Sequence, residues 1–354
     1  YNKVNGENVS ESKRLLTNIL RDEWNFDGVV MTDWFGGNNA VNQISSGNDL
    51  LEPGTREQWN KLKEAYEKGE LSIENINTSV YRILKLILRS NKMKNYNFDN
   101  NPDLKKHAEI TRKSASEGMI LLKNEEMLPL KNVKTIALIG ATSFDFISGG
   151  TGSGDVEEAY TVSLEEALKN SDFEINQVSL NIFNSHFQSN KSDFKKYEGA
   201  IGTLMGMLNP YTPPEINYSV ESIKKIANSS DIAIITIGRN SGEGSDRVEI
   251  DDFLLSEKEI NMIKTTSEEF RSLGKKIVVV LNIGGTIETD SWKKYADSIL
   301  LAWQGGQEGG NSVIDILTGK VNPSGKLPMT FPLNLFDHAS SSNFPMDGDP
   351  LDIR

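Results

Sequence analysis

The sequence predicts an α/β protein whose larger part has a mostly parallel central sheet. Segments with strand character alternate with amphipathic helices along most of the 354 residues, which is typical of β/α units. The runs "IAIITIG" and "KIVVVLNIG" are apolar throughout, as expected of central strands that are covered on both faces. Two helix starts are marked by capping boxes, one formed by Ser163 and Glu166 and the other by Ser256 and Glu259.

Residues 1–92 form the first predicted part. Apolar residues at three-and-four spacing predict helices over 10–24 and from residue 73 onward, and Ser72 is a suitable N-cap for the second of these. Further helices are predicted over 38–46 and 55–68. A buried strand is predicted over 29–32, and "GNDLLEPG" predicts a second, shorter strand and a turn. Two strands are too few for a closed barrel or for a stable open sheet.

The rest of the chain contains a connecting segment, a second α/β part and a tail. Residues 93–117 begin as a polar, Asn-rich stretch and continue as a helix over 103–117. The second part covers 118–335, with an irregular segment predicted over 180–229 and an extended tail over 336–354. Its six predicted strands are 119–122, 134–140, 173–178, 232–238, 276–282 and 299–303.

Composition excludes several classes of function. Acidic residues outnumber basic ones by 50 to 38, which argues against a nucleic-acid-binding protein. The chain has no cysteine, so it has no disulfide and no thiolate metal site, and a cytoplasmic location is the simplest expectation. The three histidines are not spaced as metal ligands, and no apolar run is long enough to span a membrane. We expect no metal and no cofactor.

The stretch "GVVMTDWFGG" contains the first candidate catalytic residue. Asp33 follows a predicted parallel strand and precedes a glycine-bearing loop, and ligands collect at the carboxyl ends of such strands. The neighbouring Trp34 offers a flat apolar face that suits a sugar ring. A structural role for Asp33, as the cap of a helix or a turn, is equally compatible with its position.

The stretch "IGRNSGEGSDR" contains the second candidate. Glu243 lies between two glycines on a loop that follows another buried strand, and flanking glycines permit unusual backbone angles. An exposed loop acid without function is the alternative interpretation. For Asp246 and Arg247 we expect a structural ion pair that fixes the loop.

Two glycine-rich stretches remain. "SGGTGSGDV" lacks the lysine of a phosphate-binding P-loop, although Thr151, Ser153 and Asp155 could hydrogen-bond sugar hydroxyls. A nucleotide-binding protein built around this loop is therefore a weaker alternative. "AWQGGQEGG" and the residues after it are interpreted as a structural crossover with one helix over 311–318.

Six strings, taken together and in order, resemble glycoside hydrolase family three, and most closely its bacterial β-glucosidases. They are "YNKVNG", "LLTNILRDEWNFDGVVMTDW", "GGTGSGD", "SGEGSDR", "GQEGG" and "NPSGKLPMTFP". The resemblance implies a (β/α)8 barrel followed by an α/β sandwich, with the active site between them. Residues 1–92 would be the C-terminal part of that barrel, and the missing part, with its sugar-gripping arginines, would precede Tyr1 as the same or a second polypeptide.

The resemblance also implies roles for individual residues. Asp33 would be the nucleophile and Glu243 the general acid/base. Tyr1, Trp34 and Ser153 would contact the sugar. The substrates would be β-linked glucosides or short oligosaccharides, with no nucleic-acid or membrane partner.

The implied reaction requires two carboxyl groups with different protonation states. In a retaining glycosidase they stand about 5–5.5 Å apart, one ionised and the other protonated, so we expect Asp33 to be ionised and Glu243 to carry the proton. Two alternatives remain open. The chain could be a non-catalytic sugar-binding fragment, or the enzyme could be a β-xylosidase or a β-N-acetylglucosaminidase.

Overall fold

The chain forms two compact units, one over Tyr1–Pro102 and the other over Asp103–Ser341. The structure is a computed structural model that describes residues 1–156, 158–194, 206, 210–243, 247–338 and 341. Within these ranges, no helix combines the length and the apolar character that a bilayer crossing needs. The predicted tail over 336–354 lies largely outside the described residues, apart from a 3-10 turn over Leu335–Asp337.

The first unit is built mainly from helices. Its described elements are a hairpin of β1 (Lys3–Val4) and β2 (Glu7–Asn8), a 3-10 turn (Val9–Glu11), a π-helix (Arg14–Glu23), the helices α1 (Ala40–Ser46), α2 (Arg56–Glu67) and α3 (Ile73–Arg89), and a 3-10 turn (Asn91–Lys94). Ser72 caps α3 through its side chain, as the sequence predicts, and Thr55, which was predicted to lie within a helix, caps α2 in the same way. The hairpin and the π geometry of 14–23 were not predicted.

The predicted strand over 29–32 is an extended segment rather than a buried strand. It pairs in parallel with the segment around Leu50, where the backbone N–H of Thr32 donates to the Leu50 carbonyl at 3.0 Å. Met31 is 59% exposed, so the prediction of burial was wrong for this position. Among the described residues, this segment has a pairing partner on one side only.

The apolar stripe of α3 is also largely exposed. Val80, Leu84 and Ile87 each have about half of their surface accessible, although they recur with the period of an amphipathic helix. The side of α3 that faces its own unit instead carries the polar residues Ser79 and Arg82, whose side chains bond to residues 48 and 49. The periodicity therefore predicted the helix correctly but not the face that this unit buries.

The second unit contains a six-stranded sheet that is parallel except at one edge. The strands are β3 (Ile120–Asn124), β4 (Thr135–Ile139), β5 (Glu174–Ile175), β6 (Ile232–Arg239), β7 (Ile277–Ile283) and β8 (Ser298–Leu301). Their order across the sheet is β3-β8-β7-β6-β4-β5, and β3 runs antiparallel to β8. All six lie where the sequence predicts strands, which confirms the mostly parallel α/β sheet.

Helices cover both faces of this sheet. They are α4 (Leu104–Gly118), α5 (Leu164–Lys169), α6 (Gln177–Ser189), α7 (Val220–Asn228), α8 (Glu257–Ser272) and α9 (Gly309–Leu317). Alternate residues of β6 enter two separate hydrophobic clusters, with Ile235 packing toward one and Ile234 toward the other. Every residue of β6 is buried, as expected of a central strand between two helical layers.

Details of the second unit differ from the prediction. The strand predicted over 173–178 is reduced to two residues because Asn176 caps α6, accepting a hydrogen bond from the backbone of Ser179. The irregular segment predicted over 180–229 contains most of α6 and all of α7, with 195–205 and 207–209 outside the described residues. Both predicted capping boxes are present, at α5 and α8.

Helix α4 is packed into the second unit. The guanidinium of Arg112 donates two hydrogen bonds, in a bidentate arrangement, to the Asp315 carboxylate on α9, at 2.5 and 2.7 Å. These hydrogen bonds, together with Lys320, outweigh the effect of burial and lower the pKa of Asp315. Helix α4, which was predicted as part of the segment 93–117, is therefore joined by an ion pair to helix α9 of the second unit.

Candidate active site

Asp33 lies on an exposed loop at the end of the extended segment 29–32. One of its carboxylate oxygens, Oδ1, accepts hydrogen bonds from the Tyr1 hydroxyl at 3.1 Å and from the backbone N–H of Trp34 at 2.7 Å. No described residue donates a hydrogen bond to the second oxygen, Oδ2. The carboxylate is thus oriented through one oxygen while the other can meet a ligand.

Tyr1 and Trp34 lie beside this carboxylate. The Tyr1 hydroxyl also contacts the Trp34 carbonyl oxygen at 2.7 Å, so its single proton is shared between two acceptors. The Trp34 side chain is 60% exposed, and its ring meets the ring of Phe35 edge-on at 6.4 Å. An exposed indole beside a carboxylate suits the apolar face of a pyranose ring.

The loop after Asp33 is fixed by polar contacts from the start of the chain. The Glu11 carboxylate accepts backbone hydrogen bonds from Asn38 and Asn39 at 2.5 and 3.0 Å. The Gly36 carbonyl oxygen accepts from the Ser10 hydroxyl at 3.0 Å and from the Gln43 amide at 2.5 Å. These contacts give residues 10 and 11 a structural role that sequence reasoning missed.

A buried ion pair supports the extended segment. The Asp49 side chain has no exposed surface, and its carboxylate binds Arg21 at 2.7 Å and Arg82 at 3.0 Å. It also accepts the backbone N–H of Val30 at 2.9 Å. Two helices and the extended segment that precedes Asp33 therefore meet at a single carboxylate. The only sequence signal was a charged residue next to two leucines, which is too weak to identify such a site.

Glu243 lies on the loop after β6, and Ser153 contacts it directly. The backbone N–H and the hydroxyl of Ser153 both donate to the same carboxylate oxygen, Oε2, at 2.8 and 3.0 Å. Glu243 is exposed, in agreement with its predicted position on a bare loop. Sequence reasoning identified both residues, but it did not predict their contact.

The glycine-rich loop and the Glu243 loop run against each other backbone to backbone. Thr151 forms a parallel bridge with Gly242, and its N–H donates to the Ser241 carbonyl at 3.0 Å. A Cβ atom on Gly150 would lie 2.5 Å from that carbonyl oxygen, and one on Gly242 would lie 2.6 Å from the Thr151 carbonyl oxygen. These glycines are required for the close approach of the two backbones, whereas the prediction for the glycine beside Glu243 was a role in unusual backbone angles.

The far side of the Glu243 loop is fixed by Arg247. Its guanidinium binds the Asp252 carboxylate at 2.6 Å and the Asn240 carbonyl oxygen at 3.2 Å. The predicted ion pair was between Asp246 and Arg247, but Asp246 lies outside the described residues. An ion pair does fix the loop, and its described acidic partner is Asp252.

A small cavity of about 50 Å³ lies beside these loops. Its polar lining includes Asp145, Thr151, Asp155, Tyr211 and Asn240. Burial and the hydrogen bond to Asp145 raise the pKa of the Tyr211 hydroxyl above its usual range. The volume suits water rather than a pyranose ring.

Glu215 is a half-buried acid that sequence reasoning missed. One of its carboxylate oxygens accepts the backbone N–H groups of Ala141 at 3.0 Å and Ile216 at 2.8 Å. Burial raises the pKa of this carboxyl to about 7. The Glu215 carboxylate thereby holds the loop that follows β4 against residues 215 and 216.

Comparison with known families accounts for both parts of the chain. Residues 119–350 match the model of the glycosyl hydrolase family 3 C-terminal domain. Residues 1–86 match the model of the family 3 N-terminal domain. The order of the two matches agrees with the order of the two compact units.

Named relatives extend beyond this chain. Thermostable beta-glucosidase B of Acetivibrio thermocellus is 34% identical over 100% of this chain and 43% of its own length. Beta-glucosidase A of Butyrivibrio fibrisolvens is 36% identical over 70% of the chain and 31% of its own length. The chain therefore spans less than half of these relatives.

A solved structure supports the same assignment. Beta-glucosidase 3B from Thermotoga neapolitana, in complex with glucose, is 40% identical and matches with a TM-score of 0.87, over 99% of this chain and 49% of that one. The family models and this match agree over both units. The chain belongs to glycosyl hydrolase family 3.

Proposed function

We propose that the protein containing this chain is a retaining β-glycosidase, and specifically a β-glucosidase that releases the non-reducing terminal sugar. The observation that carries the proposal is that each candidate acid is exposed and has one carboxylate oxygen fixed by two donors. In Asp33 this oxygen is Oδ1, and in Glu243 it is Oε2. Catalytic carboxyl groups need both orientation and access to the substrate.

Asp33 would act as the nucleophile in the first step. Its carboxylate attacks the anomeric carbon and forms a glycosyl ester while the bond to the leaving oxygen breaks. Glu243 donates its proton to that oxygen, so the aglycone leaves as a neutral alcohol. Tyr1 would keep Asp33 oriented, and Trp34 and Ser153 would contact the sugar.

Water completes the reaction in the second step. The Glu243 carboxylate takes a proton from water, the water oxygen attacks the anomeric carbon, and the ester bond to Asp33 breaks. Two inversions at this carbon give overall retention of the β configuration. No cofactor and no metal ion takes part in the scheme.

We propose that the chain acts together with the part of the barrel that precedes the matching region in its relatives, on the same or a second polypeptide. The matched shares of 43% and 49% support this. The relatives named as β-glucosidases favour β-linked glucosides and short oligosaccharides over β-xylosides and N-acetylglucosaminides. The lack of cysteine favours a reducing compartment such as the cytoplasm.

The competing proposal is a sugar-binding fragment without catalysis. Proton NMR during hydrolysis of a 4-nitrophenyl β-glucoside by the full-length protein separates the two. We expect β-glucose as the first product, before it mutarotates. Initial release of α-glucose would contradict the retaining mechanism. Glucose binding in calorimetry without any hydrolysis would favour the binding fragment.

A parallel assay tests which sugar the enzyme prefers in its substrate. We expect the 4-nitrophenyl β-glucoside to be cleaved with a higher kcat/KM than the corresponding β-xyloside and N-acetyl-β-glucosaminide. A higher kcat/KM for the β-xyloside or the N-acetyl-β-glucosaminide would assign the protein that activity in place of β-glucosidase. The NMR experiment would still decide whether the mechanism is retaining.

A further inference from the structure

Three carboxamide side chains lie together at the carboxyl ends of the three neighbouring strands β6, β7 and β8. Asn240 follows β6, Asn282 lies within β7, and Gln304 lies shortly after β8. A carboxamide can donate and accept at the same time, so it can link two backbone segments that run in different directions.

Asn282 fixes the start of the glycine-rich loop. It is fully buried, accepts the backbone N–H of Ile147 at 2.7 Å and donates to the Ile147 carbonyl at 2.9 Å. Its amide also donates to the Trp303 carbonyl at 2.8 Å. The segment that carries Gln304 is thereby fixed to the same side chain as the segment that leads to Ser153.

Gln304 then joins the two loops. Its amide nitrogen donates to the Gly149 carbonyl at 3.0 Å and to the Asn240 side-chain oxygen at 3.1 Å. Its amide oxygen accepts from the Ser241 hydroxyl at 3.3 Å. One side chain therefore contacts the loop that carries Ser153 and the loop that carries Glu243.

The local backbone leaves room for this contact. A Cβ atom on Gly284 would lie 2.5 Å from the Gln304 amide oxygen, and it would also collide with the Ser241 hydroxyl. The Asn240 side-chain oxygen accepts the backbone N–H of Ser241 at 2.8 Å, which orients the chain two residues before Glu243. Gln304 lies in "AWQGGQEGG", the crossover to which sequence reasoning assigned no chemistry.

We propose that Gln304 is a positioning residue for the general acid, holding the Glu243 loop against the glycine-rich loop. The claim that Gln304 positions a general acid rests on the proposed function. The claim that Gln304 holds the two loops together does not. The proton must reach the leaving oxygen along a defined line, and a misplacement of about 1 Å can cost on the order of 100-fold in rate. Loss of Gln304 should therefore slow the steps that need the acid.

The test replaces Gln304 with methionine, which retains the volume of the side chain but removes its hydrogen bonds. Gln307→Met is the matched control, because Gln307 lies in the same crossover and its amide makes only a 3.5 Å contact with the Tyr160 hydroxyl. In the full-length protein, we expect Gln304→Met to lower kcat/KM for an alkyl β-glucoside by about 10- to 100-fold. A 2,4-dinitrophenyl β-glucoside, whose leaving group needs no proton, should change by less than about 3-fold.

Hydrogen exchange measured on the same proteins provides a readout that does not depend on activity. We expect exchange to be at least 10-fold faster at 149–152 and 240–243 in Gln304→Met, with β6 and β7 as protected as in the unmodified protein and in Gln307→Met. Unchanged exchange in both loops would overturn the proposal, as would equal loss of both substrates together with lost protection of β6 and β7. If the unmodified protein hydrolyses neither substrate, the proposed function fails and hydrogen exchange alone decides the positioning role.

Discussion

Ser153 donates two hydrogen bonds to one carboxylate oxygen of Glu243, from its backbone N–H at 2.8 Å and from its hydroxyl at 3.0 Å. A carboxylate oxygen and the carbonyl oxygen of a protonated carboxyl can both accept such bonds, so the contact fits both stages of an acid/base cycle. The other oxygen, Oε1, accepts no hydrogen bond from a described residue. Orientation through one oxygen leaves the other free for proton transfer.

The first prediction concerns Gly152, which makes this contact possible. Its φ of +65° lies in the left-handed region, and a Cβ atom there would lie 2.7 Å from the Glu243 Cβ and would overlap its carboxylate. We expect Gly152→Ala to lower kcat/KM by at least 10-fold and to destabilise the second unit by about 1–2 kcal/mol.

Gly154→Ala is the matched control for this variant. Nothing lies within 4 Å of a Cβ atom at position 154, and its φ is not positive. We expect near-normal activity and stability in steady-state kinetics and urea unfolding. Equal behaviour of the two alanine variants would contradict the importance of the close approach between residues 152 and 243.

The second prediction concerns the acid/base. Glu243→Ala should slow hydrolysis of a natural β-glucoside by about 100- to 10,000-fold, because the leaving oxygen no longer receives a proton. Substrates with good leaving groups need no such proton in the first step and should be slowed far less. Azide can attack the glycosyl ester without a base, so it should restore the rate and give the β-glucosyl azide.

These rates are measured in the full-length protein, and Glu249→Ala is a suitable control because Glu249 is another exposed acid in the second unit. Equal slowing of natural and activated substrates, without rescue by azide, would assign Glu243 a structural role.

The third prediction concerns the buried Asp49. Asp49→Asn removes the charge that compensates Arg21 and Arg82, and an uncompensated buried guanidinium costs roughly 3 kcal/mol or more. The free energy of unfolding of the first unit, measured in urea, should fall by about that amount. Glu64→Gln breaks only the exposed pair with Lys68 and should leave the free energy of unfolding nearly unchanged, because water and salt screen exposed ion pairs. Similar values for the two variants would contradict a supporting role for Asp49.

The fourth prediction concerns the pH dependence of stability. The pKa of Glu215 is raised from 4.5 to about 7 in the folded state, so the folded protein binds more protons than the unfolded chain between these values. The contribution of this group is present below pH 4.5 and is lost as the pH rises through 7, at a cost of at most about 3 kcal/mol. Glu215→Gln can still accept both backbone hydrogen bonds and should remove this pH dependence.

Urea unfolding at pH 5 and pH 8 checks this prediction. The variant should gain stability relative to the unmodified protein at pH 8 and gain little at pH 5. The exposed Glu221→Gln serves as the control and should leave the pH dependence unchanged. If the Glu215 variant lost as much stability between the two pH values as the unmodified protein, the raised pKa of this carboxyl would be contradicted.

The sheet of the second unit could be predicted because its strands are buried on both faces. An unbroken apolar run such as residues 232–238 has few alternatives to a central strand, and the capping boxes marked two helix starts. Elsewhere, the local sequence pattern does not determine what the rest of the unit buries or pairs. The stripe of Ile73–Arg89 predicted the helix but not its exposed face, and the hairpin of β1 and β2 consists of two polar two-residue strands with no periodic signal.

Some residues of the candidate site could likewise be predicted from the sequence, and others could not. Asp33 and Glu243 could be chosen as candidates because each follows a predicted strand and lies near glycines, but this pattern left non-catalytic alternatives open, and their catalytic roles come from the resemblance to family three. Asp49, Glu215 and Gln304 could not be selected, because their importance arises from partners that are distant in sequence. The Gln304 amide, for example, reaches a carbonyl 155 residues earlier. The roles of Tyr1, Trp34 and Ser153 in sugar binding remain predictions.

Covalent trapping of the nucleophile tests the central claim most directly. A 2,4-dinitrophenyl 2-deoxy-2-fluoro-β-glucoside has a leaving group that favours formation of the glycosyl ester and a fluorine that slows its hydrolysis, so the intermediate accumulates. Peptide mass spectrometry of the inactivated full-length protein should place one fluoroglucosyl group on Asp33. Asp33→Asn should neither be labelled nor turn over substrate, while Asp22→Asn, at an exposed acid of the same unit, should behave like the unmodified protein. A label on any other residue, or near-normal turnover by Asp33→Asn, would contradict the assignment of the nucleophile.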